Sequence, residues 1–125
     1  MYTKDLDQSA EEDAKLAEKV KKGDERAFRL LFDKHADWVY NKAYRMLGNH
    51  QDTEEVWQDI FVKVWQKIDK WSSDKGSFQA WLNQVARNTT IDAIRKKSKN
   101  KEMLLIMDED NDTPLLDYED TRPNP

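Results

Sequence analysis

Apolar residues recur at helical spacing along most of the first hundred residues, and this pattern predicts four α-helices. Gly23, Gly48 and the polar stretch 71–76 interrupt the pattern and mark the expected ends of helices. No run alternates apolar and polar residues in the way that a half-buried strand does. We therefore expect an all-α fold: a compact bundle of about four helices followed by a flexible acidic C-terminal tail.

The first two predicted helices have clear start signals. Ser9 and Glu12 form a capping-box pattern, which predicts that the first helix starts at Ser9 and ends at Gly23. Asp24 can cap the second helix, which we expect to run to about Leu47. The second helix carries one broad apolar face, formed by Phe28, Leu31, Phe32, His35, Val39, Ala43 and Met46.

The third predicted helix begins near Asp52 and carries apolar residues on more than one face. A helix of this kind lies at the centre of a bundle or keeps one face for a partner. The apolar positions are Val56, Trp57, Ile60, Phe61, Val64, Trp65 and Ile68. Trp57 can belong to the core or to an interface, and the pattern leaves both open.

The fourth predicted helix follows the loop and reaches to about Asn100. Its first half carries an apolar stripe, and its second half becomes basic without losing the helical pattern. Phe78 and Trp81 can stack on nucleic-acid bases, but their spacing with Leu82 and Val85 favours the core. A helix that is anchored at one end and cationic at the other is suited to a polyanion.

Charge is distributed unevenly along the chain, whose net charge is −4. Residues 87–101 carry six Lys or Arg and one Asp, whereas residues 102–125 carry eight Asp or Glu and one Arg. Local charge decides where a phosphate backbone binds, so the acidic total does not exclude nucleic acid. We expect a helical domain over residues 1–101 and an acidic linker, disordered when alone, over residues 102–125.

Several functional classes are disfavoured by the sequence. The absence of Cys excludes disulfides and thiolate metal sites and is compatible with a reducing cytosol. No apolar run approaches the roughly 18 residues of a membrane span, so we expect a soluble, cytoplasmic protein without membrane insertion. His35 and His50 stand alone, and no nucleophile motif or Gly-rich phosphate loop is present. We therefore expect no enzyme activity, no catalytic residues, no metal and no cofactor.

Three segments, in order and at matching spacing, carry a family resemblance. AFRLLFDKHADWVYNKAYRMLG (27–48), DTEEVWQDIFVKVWQKIDKW (52–71) and GSFQAWLNQVARNTTIDAIRKK (76–97) resemble regions 2.1, 2.2 and 2.3–2.4 of extracytoplasmic-function sigma factors. The resemblance implies a sigma factor region 2 fold. It also implies a transcription initiation domain that binds core RNA polymerase and recognises and helps melt the minus-ten promoter element.

The resemblance nominates DNA-binding residues on the fourth helix and in the loop before it. It implies that Asn88 faces promoter bases, partly single-stranded, and that nearby cations contact phosphates. The loop would hold a flipped-out base. The candidates are Arg87, Asn88, Asp92, Arg95, Lys96 and Lys97 on the helix, with Ser72, Ser73, Asp74 and Lys75 in the loop. A solvated basic face and an ordinary capped loop remain alternatives.

The resemblance also nominates protein partners. The third helix is implied to dock on the coiled-coil clamp helices of the largest RNA polymerase subunit. The candidates are Glu55, Gln58, Asp59, Val62 and Trp65, and a solvated acidic face is the alternative. An anti-sigma factor that covers the same surfaces is an expected second partner. A rival hypothesis is an interaction module that titrates an anti-sigma factor or polymerase without reading DNA. A third is a bundle that binds nucleic acid non-specifically.

A full-length member of the resembled group continues into region 4, a helix-turn-helix that this sequence lacks. We expect an excised domain rather than a naturally short protein. The resemblance implies a linker that threads into the polymerase cleft, where the acidic stretch 108–112 is a candidate phosphate mimic. In the free domain the same stretch is a candidate to fold over the basic end of the fourth helix.

Overall fold

A computed structural model describes the backbone of residues 2–98 and the side chains of residues 8–97. Four α-helices follow one another in this part of the chain: α1 (Tyr2–Lys21), α2 (Glu25–Leu47), α3 (His50–Lys67) and α4 (Phe78–Ser98). Two short 3₁₀ turns, Ile68–Lys70 and Ser73–Lys75, connect α3 to α4. Residues 2–98 contain no strand, and the predicted all-α bundle is confirmed. The predicted acidic linker lies outside the described residues.

Local caps explain where α2 and α3 begin. The Asp24 carboxylate accepts hydrogen bonds from the backbone N–H groups of Arg26 and Ala27, at 3.0 and 3.1 Å, as the sequence predicts. The Asn49 side chain accepts from the backbone N–H of Asp52 at 2.8 Å, so α3 begins at His50 rather than near Asp52. Gly48, with φ of 83°, ends α2 in the left-handed conformation that favours glycine.

The predicted start of the first helix is wrong, because α1 begins at Tyr2 and runs through Ser9 without interruption. A capping signal can start a helix, but it does not stop one that has already begun upstream. The residues before Ser9 include no Gly or Pro, so nothing in them breaks the helix. Ser9 instead offers its backbone carbonyl to the Lys34 ammonium on α2, at 3.2 Å.

The apolar core lies where the buried faces of the four helices meet. Trp71, which follows the first 3₁₀ turn, is buried against the same cluster. Each fully buried aliphatic side chain stabilises the fold by about 1.5–3 kcal/mol. The most deeply buried members include Ala17, Leu31, Val39, Ile60, Val64, Phe78, Leu82 and Ala86. The prediction that Phe78 is a core residue is confirmed, and Trp81 packs against the core from its edge.

Trp57 packs against the core and also ties α3 to α2. Its indole N–H donates to the backbone carbonyl of Ala36 at 3.0 Å, and its ring lies 5.4 Å from the ring of Phe32. The sequence left the core and interface roles of Trp57 open, and these contacts favour the core.

A buried polar network joins α1 to α2 at His35, which the sequence placed on an apolar face. His35 Nδ1 accepts a hydrogen bond from the Trp38 indole N–H at 2.7 Å, so the opposite nitrogen, Nε2, carries the proton toward Asp13 Oδ2 at 3.0 Å. The Lys34 ammonium lies 2.9 Å from the other oxygen of Asp13. Burial raises the pKa of Asp13, but the hydrogen bonds from His35 and Lys34 outweigh it and hold the pKa below its usual value.

Candidate nucleic-acid and polymerase interfaces

The outward face of α4 carries Gln84, Asn88, Asp92 and Arg95, whose spacing places them along one side of the helix. Gln84 is exposed, and the other three are half-buried. An Arg95 nitrogen lies 4.0 Å from the nearer carboxylate oxygen of Asp92. Three of the predicted DNA-binding residues, Asn88, Asp92 and Arg95, are thus brought together on a single face.

Asn88 carries the most unusual polar atom on this face. Its Oδ1 is buried and accepts no hydrogen bond within the part of the chain that the structure describes. A buried acceptor without a donor costs about 1–3 kcal/mol. Such atoms are rare in folded proteins, and each calls for an explanation such as strain, a functional role, or a bound water or ion.

Arg87 departs from the prediction that it contacts phosphates. It follows Asn83 by one helical turn, points about 100° away from Asn88 around α4, and is only 1% exposed. A phosphate cannot reach a buried guanidinium in this conformation. Arg87 does act electrostatically on Lys42 of α2, so its charge belongs to the contact between α2 and α4.

The basic end of α4 presents Lys96 and Lys97 to solvent, together with the half-buried Arg95. Lys97 forms an ion pair with Asp52, in the first turn of α3. The hydrogen bond from Lys97, followed by that from Asn49, lowers the pKa of Asp52. Part of the cationic surface predicted to meet DNA is therefore bound to a carboxylate of the protein itself.

The loop between α3 and α4 has a fixed backbone and exposed side chains. Ser73, Asp74 and Lys75 form a single 3₁₀ turn and are exposed, while Ser72 is half-buried. The buried indole of Trp71 donates to the carbonyl of Gly76 at 3.1 Å. This bond closes the loop on the core, and the Trp71 ring is covered on its other side by the Lys21 ammonium, 5.3 Å from the ring centre.

Gly76 ends this loop in a conformation that favours glycine. Its φ of 124° combined with ψ of −179° lies in a region that residues with a Cβ seldom adopt. Trp71 and Gly76 were not nominated as site residues, although a Trp at the end of a helix five residues before a Gly was visible in the sequence. Both hold the loop that carries the four predicted contacts.

The predicted polymerase-binding residues form a continuous strip on α3, which we call the outer strip: Glu55, Gln58, Asp59, Val62 and Trp65. All five are exposed, and two are large apolar residues, Val62 at 52% and Trp65 at 39%. The edge of Trp65 meets the ring of Phe28 on α2 at 5.3 Å. Beside them, Phe28, Arg29, Phe32 and Glu25 complete a cleft of about 510 Å³ with Trp65.

A second cavity, of about 640 Å³, lies between α1, α2 and the start of α4, and we call it the cationic groove. Sequence reasoning missed this site. The signal for it was Lys42 and Arg45, two cations three residues apart and therefore neighbours on the surface of α2. The groove is lined by Ser9, Ala10, Asp13, Trp38, Asn41, Lys42, Arg45, Ser77, Gln79, Ala80 and Asn83.

No group of three or more His, Cys, Asp or Glu side chains is placed to hold a metal ion among the described residues. No helix in that part of the chain combines the length and apolar character needed to cross a membrane.

Comparison with known proteins agrees with the geometry of α2, α3 and α4. Residues 31–100 match the family described as sigma-70 region 2, and the chain belongs to this family. The resemblance to the extracytoplasmic-function group is confirmed by relatives such as the ECF RNA polymerase sigma factor SigW of Bacillus subtilis (strain 168). SigW is 41% identical over 83 residues, which cover 66% of this chain and 44% of SigW.

Other relatives give the same picture. ECF RNA polymerase sigma factor SigE of Mycolicibacterium smegmatis is 31% identical over 97 residues, covering 74% of this chain and 37% of SigE. RNA polymerase sigma-H factor of Pseudomonas aeruginosa is 33% identical over 79 residues, covering 63% of this chain and 40% of that protein. The chain therefore spans less than half the length of these relatives.

Proposed function

We propose that this domain binds core RNA polymerase through the outer strip of α3, and reads and helps melt the minus-ten promoter element through α4 and the loop before it. The match to sigma-70 region 2 over residues 31–100 carries the proposal, since it includes α3, the loop and α4. The relatives are RNA polymerase sigma factors by name, which favours a transcription factor over an enzyme.

The chemistry of the outer strip suits a protein partner. Glu55 and Asp59 lie one turn apart and can accept paired hydrogen bonds from arginines of the polymerase clamp helices. Val62 and Trp65 supply exposed apolar area beside these carboxylates. A Trp within a polar rim is a frequent source of binding energy at protein interfaces. An anti-sigma factor would compete by covering the same strip.

The chemistry of α4 suits an unpaired base. Asn88 offers an amide that can donate and accept at once, and its Oδ1 has no hydrogen-bond donor among residues 2–98. Rotation of the half-buried Asn88 side chain would bring Oδ1 to the surface, where an exocyclic amine of a base would supply that donor. Arg95, Lys96 and Lys97 would bind phosphates beyond it, which adds affinity but little sequence information.

The loop before α4 suits a base turned out of the stack. Ser73, Asp74 and Lys75 offer hydroxyl, carboxylate and ammonium groups to solvent. Their backbone is held by Trp71 and Gly76, so a bound base would meet groups that are already positioned.

The test is selection of single-stranded oligonucleotides of randomised sequence, with and without core RNA polymerase. We expect enrichment of a short motif that Asn88→Ala abolishes and that Gln66→Ala, an exposed amide on α3, leaves intact. In parallel, Trp65→Ala should weaken polymerase binding by at least ten-fold, since an interface tryptophan often contributes more than 1–2 kcal/mol. The matched control is Tyr44→Ala, an aromatic of similar exposure on α2 that lies outside the strip.

Two outcomes contradict the proposal in different ways. Polymerase binding without any enriched motif would favour an interaction module that titrates polymerase or an anti-sigma factor. Enrichment that is independent of sequence, with a steep salt dependence, would indicate a non-specific nucleic-acid binder.

A further inference from the structure

The cationic groove combines positive charge with hydrogen-bonding amides. Lys42 and Arg45 of α2 line one wall, and Gln79 and Asn83 of α4 line the opposite wall. Asn41 and Ser77 add further polar groups. A cavity of this size with two cations and several neutral donors has the chemistry of an anion site.

Two of the residues that line the groove, Lys42 and Arg45, are cations on the same helix. Burial lowers the pKa of Lys42, and the nearby guanidinium groups of Arg87 and Arg45 lower it further. Lys42 and Arg45 therefore face the same small volume, and an anion bound in the groove would be attracted by both.

Among the residues whose side chains the structure describes, Asp13 is the one carboxylate that lines the groove, and its charge is already neutralised by other groups. The Lys34 ammonium lies 2.9 Å from one of its oxygens, and the His35 ring nitrogen lies 3.0 Å from the other. Asp13 thus repels an anion in the groove much less than an isolated carboxylate would.

The groove lies beside the face of α4 that carries Asn88. Ala80 lines the groove, and Ala80, Gln84 and Asn88 follow one another at four-residue intervals, so they form a line along α4. Ala80 and Gln84 are exposed. A strand that crosses α4 at Asn88 can continue into the groove without leaving the surface of the domain.

We propose that the cationic groove binds a phosphate group, supplied by the phosphodiester backbone of the single strand whose bases pass Asn88. This proposal rests on the proposed function for the source of the phosphate, though not for the existence of the phosphate site. Lys42 and Arg45 hold the phosphate, and the side-chain amides of Gln79 and Asn83 donate to its oxygens. The groove would fix the direction in which the strand leaves α4.

The first experiment measures the affinity and salt dependence of oligonucleotide binding by fluorescence anisotropy. The test protein carries Lys42→Gln and Arg45→Gln. Its matched control carries Lys15→Gln and Arg26→Gln, which remove the same charge from exposed positions on α1 and α2 outside the groove. We expect the test variant to bind at least five-fold more weakly than the control. We also expect its slope of log affinity against log salt to be smaller by about 0.7 for each lost phosphate contact.

The second experiment detects the phosphate site without DNA. Inorganic pyrophosphate is added to the ¹⁵N-labelled protein, and the side-chain amide resonances of Asn41, Gln79 and Asn83 are followed. We expect shifts that saturate in the unmodified protein and in the control, and that are lost in the Lys42→Gln, Arg45→Gln variant. The remaining amide spectrum of each variant shows whether it is folded.

The two experiments separate the possible outcomes. Weaker oligonucleotide binding together with lost pyrophosphate shifts supports the proposal. Unchanged oligonucleotide binding with lost pyrophosphate shifts retains the phosphate site but overturns the DNA backbone as its source. No effect in either experiment overturns the site itself. If the groove variant loses affinity but Asn88→Ala leaves the enriched motif unchanged, base reading by Asn88 fails while the groove stands.

Discussion

Helices α3 and α4 carry the two proposed interfaces, but they divide buried and exposed residues in different ways. In α3, Val56, Ile60 and Val64 are buried on one side, and the outer strip is exposed on the other. In the second half of α4, buried residues occur around most of the helix, among them Ala86, Arg87, Thr89, Thr90, Ile91 and Ile94. The proposed protein-binding face of α3 is thus separate from the core, whereas the proposed nucleic-acid face of α4 lies among buried residues.

Some polar residues of α4 can be buried because their hydrogen-bonding groups are paired within the helix itself. Thr90 Oγ1 donates to the backbone carbonyl of Ala86 at 2.7 Å, one turn earlier. Asn88 differs, because its buried Oδ1 has no donor within residues 2–98. The hydrogen bond of Thr90 is made within the helix, whereas the buried acceptor of Asn88 has none among the described residues.

The largest expected effect tests this contrast between the two helices directly. Leu82 on α4 is fully buried, and Val62 on α3 is 52% exposed. Leu82→Ala should lower the free energy of unfolding by about 2–5 kcal/mol, because it removes transfer energy and leaves a cavity. Val62→Ala should change it by less than about 0.5 kcal/mol. Urea denaturation measures both, and a loss at Val62 comparable to that at Leu82 would show that the outer strip is part of the core.

The sequence predicted the features that depend on apolar spacing along a single helix. The four helices follow from apolar spacing, and the exposed face of α3 follows from the positions left over. The predicted start of α1 at Ser9 is wrong, because a capping signal does not end a helix that begins upstream and no Gly or Pro precedes Ser9.

The burial of Arg87 and the cationic groove were not predicted, for a different physical reason. Both depend on how α2 and α4 are packed side by side, and a pattern along one helix does not fix the rotation of its neighbour. The sequence shows Lys42 and Arg45 as a cationic pair on α2. That they share a groove with Asn83 depends on the packing of α2 against α4, which the sequence pattern does not give.

The second prediction concerns a buried polar group outside α4. Asp13→Asn should lower stability near neutral pH by about 1.5–3 kcal/mol, because it removes charge-assisted hydrogen bonds from His35 and Lys34. Since folding lowers the pKa of Asp13, its contribution is present above the unfolded pKa of about 3.9 and is lost as the pH falls through the folded value. Urea unfolding from pH 7 down to pH 3 should show a smaller acid-induced loss in the variant than in the unmodified protein.

Two results would contradict this assignment. One is a variant whose stability declines with acid as steeply as that of the unmodified protein, since Asp13 would then not be a source of the decline. The other is an equal effect of Glu12→Gln. Glu12 is the exposed neighbour of Asp13, lies 3.8 Å from Lys34 and serves as the matched control.

The third prediction concerns the loop that joins α3 to α4. Gly76→Ala should cost about 1–2 kcal/mol, because alanine is strained at φ of 124° although there is open space where its Cβ would lie. The strain should also shift the Ser73–Lys75 turn and weaken oligonucleotide binding. The control is Lys70→Ala, which changes an exposed residue just before the loop. Equal stability of Gly76→Ala and Lys70→Ala would show that this backbone conformation is not required.

The smallest expected effect concerns the ion pair between Lys97 at the end of α4 and Asp52 at the start of α3. Asp52→Asn releases Lys97 and should raise affinity for single-stranded DNA by roughly two-fold at low salt, since exposed ion pairs are weak. The gain should disappear at high salt, because screening removes both the pair and the phosphate contact. Anisotropy titrations at two salt concentrations measure it.

Removing any carboxylate near DNA also reduces repulsion, so the charge effect has to be separated from the release of Lys97. Glu54→Gln removes one negative charge from the same turn of α3, and Glu54 is exposed. If both variants gain equally, long-range charge explains the result and the ion pair does not restrain Lys97. If Asp52→Asn gains more and Lys97→Gln cancels the difference, the start of α3 regulates how much positive charge α4 presents. The two helices would then be coupled through this ion pair, although buried and exposed residues are arranged differently on each.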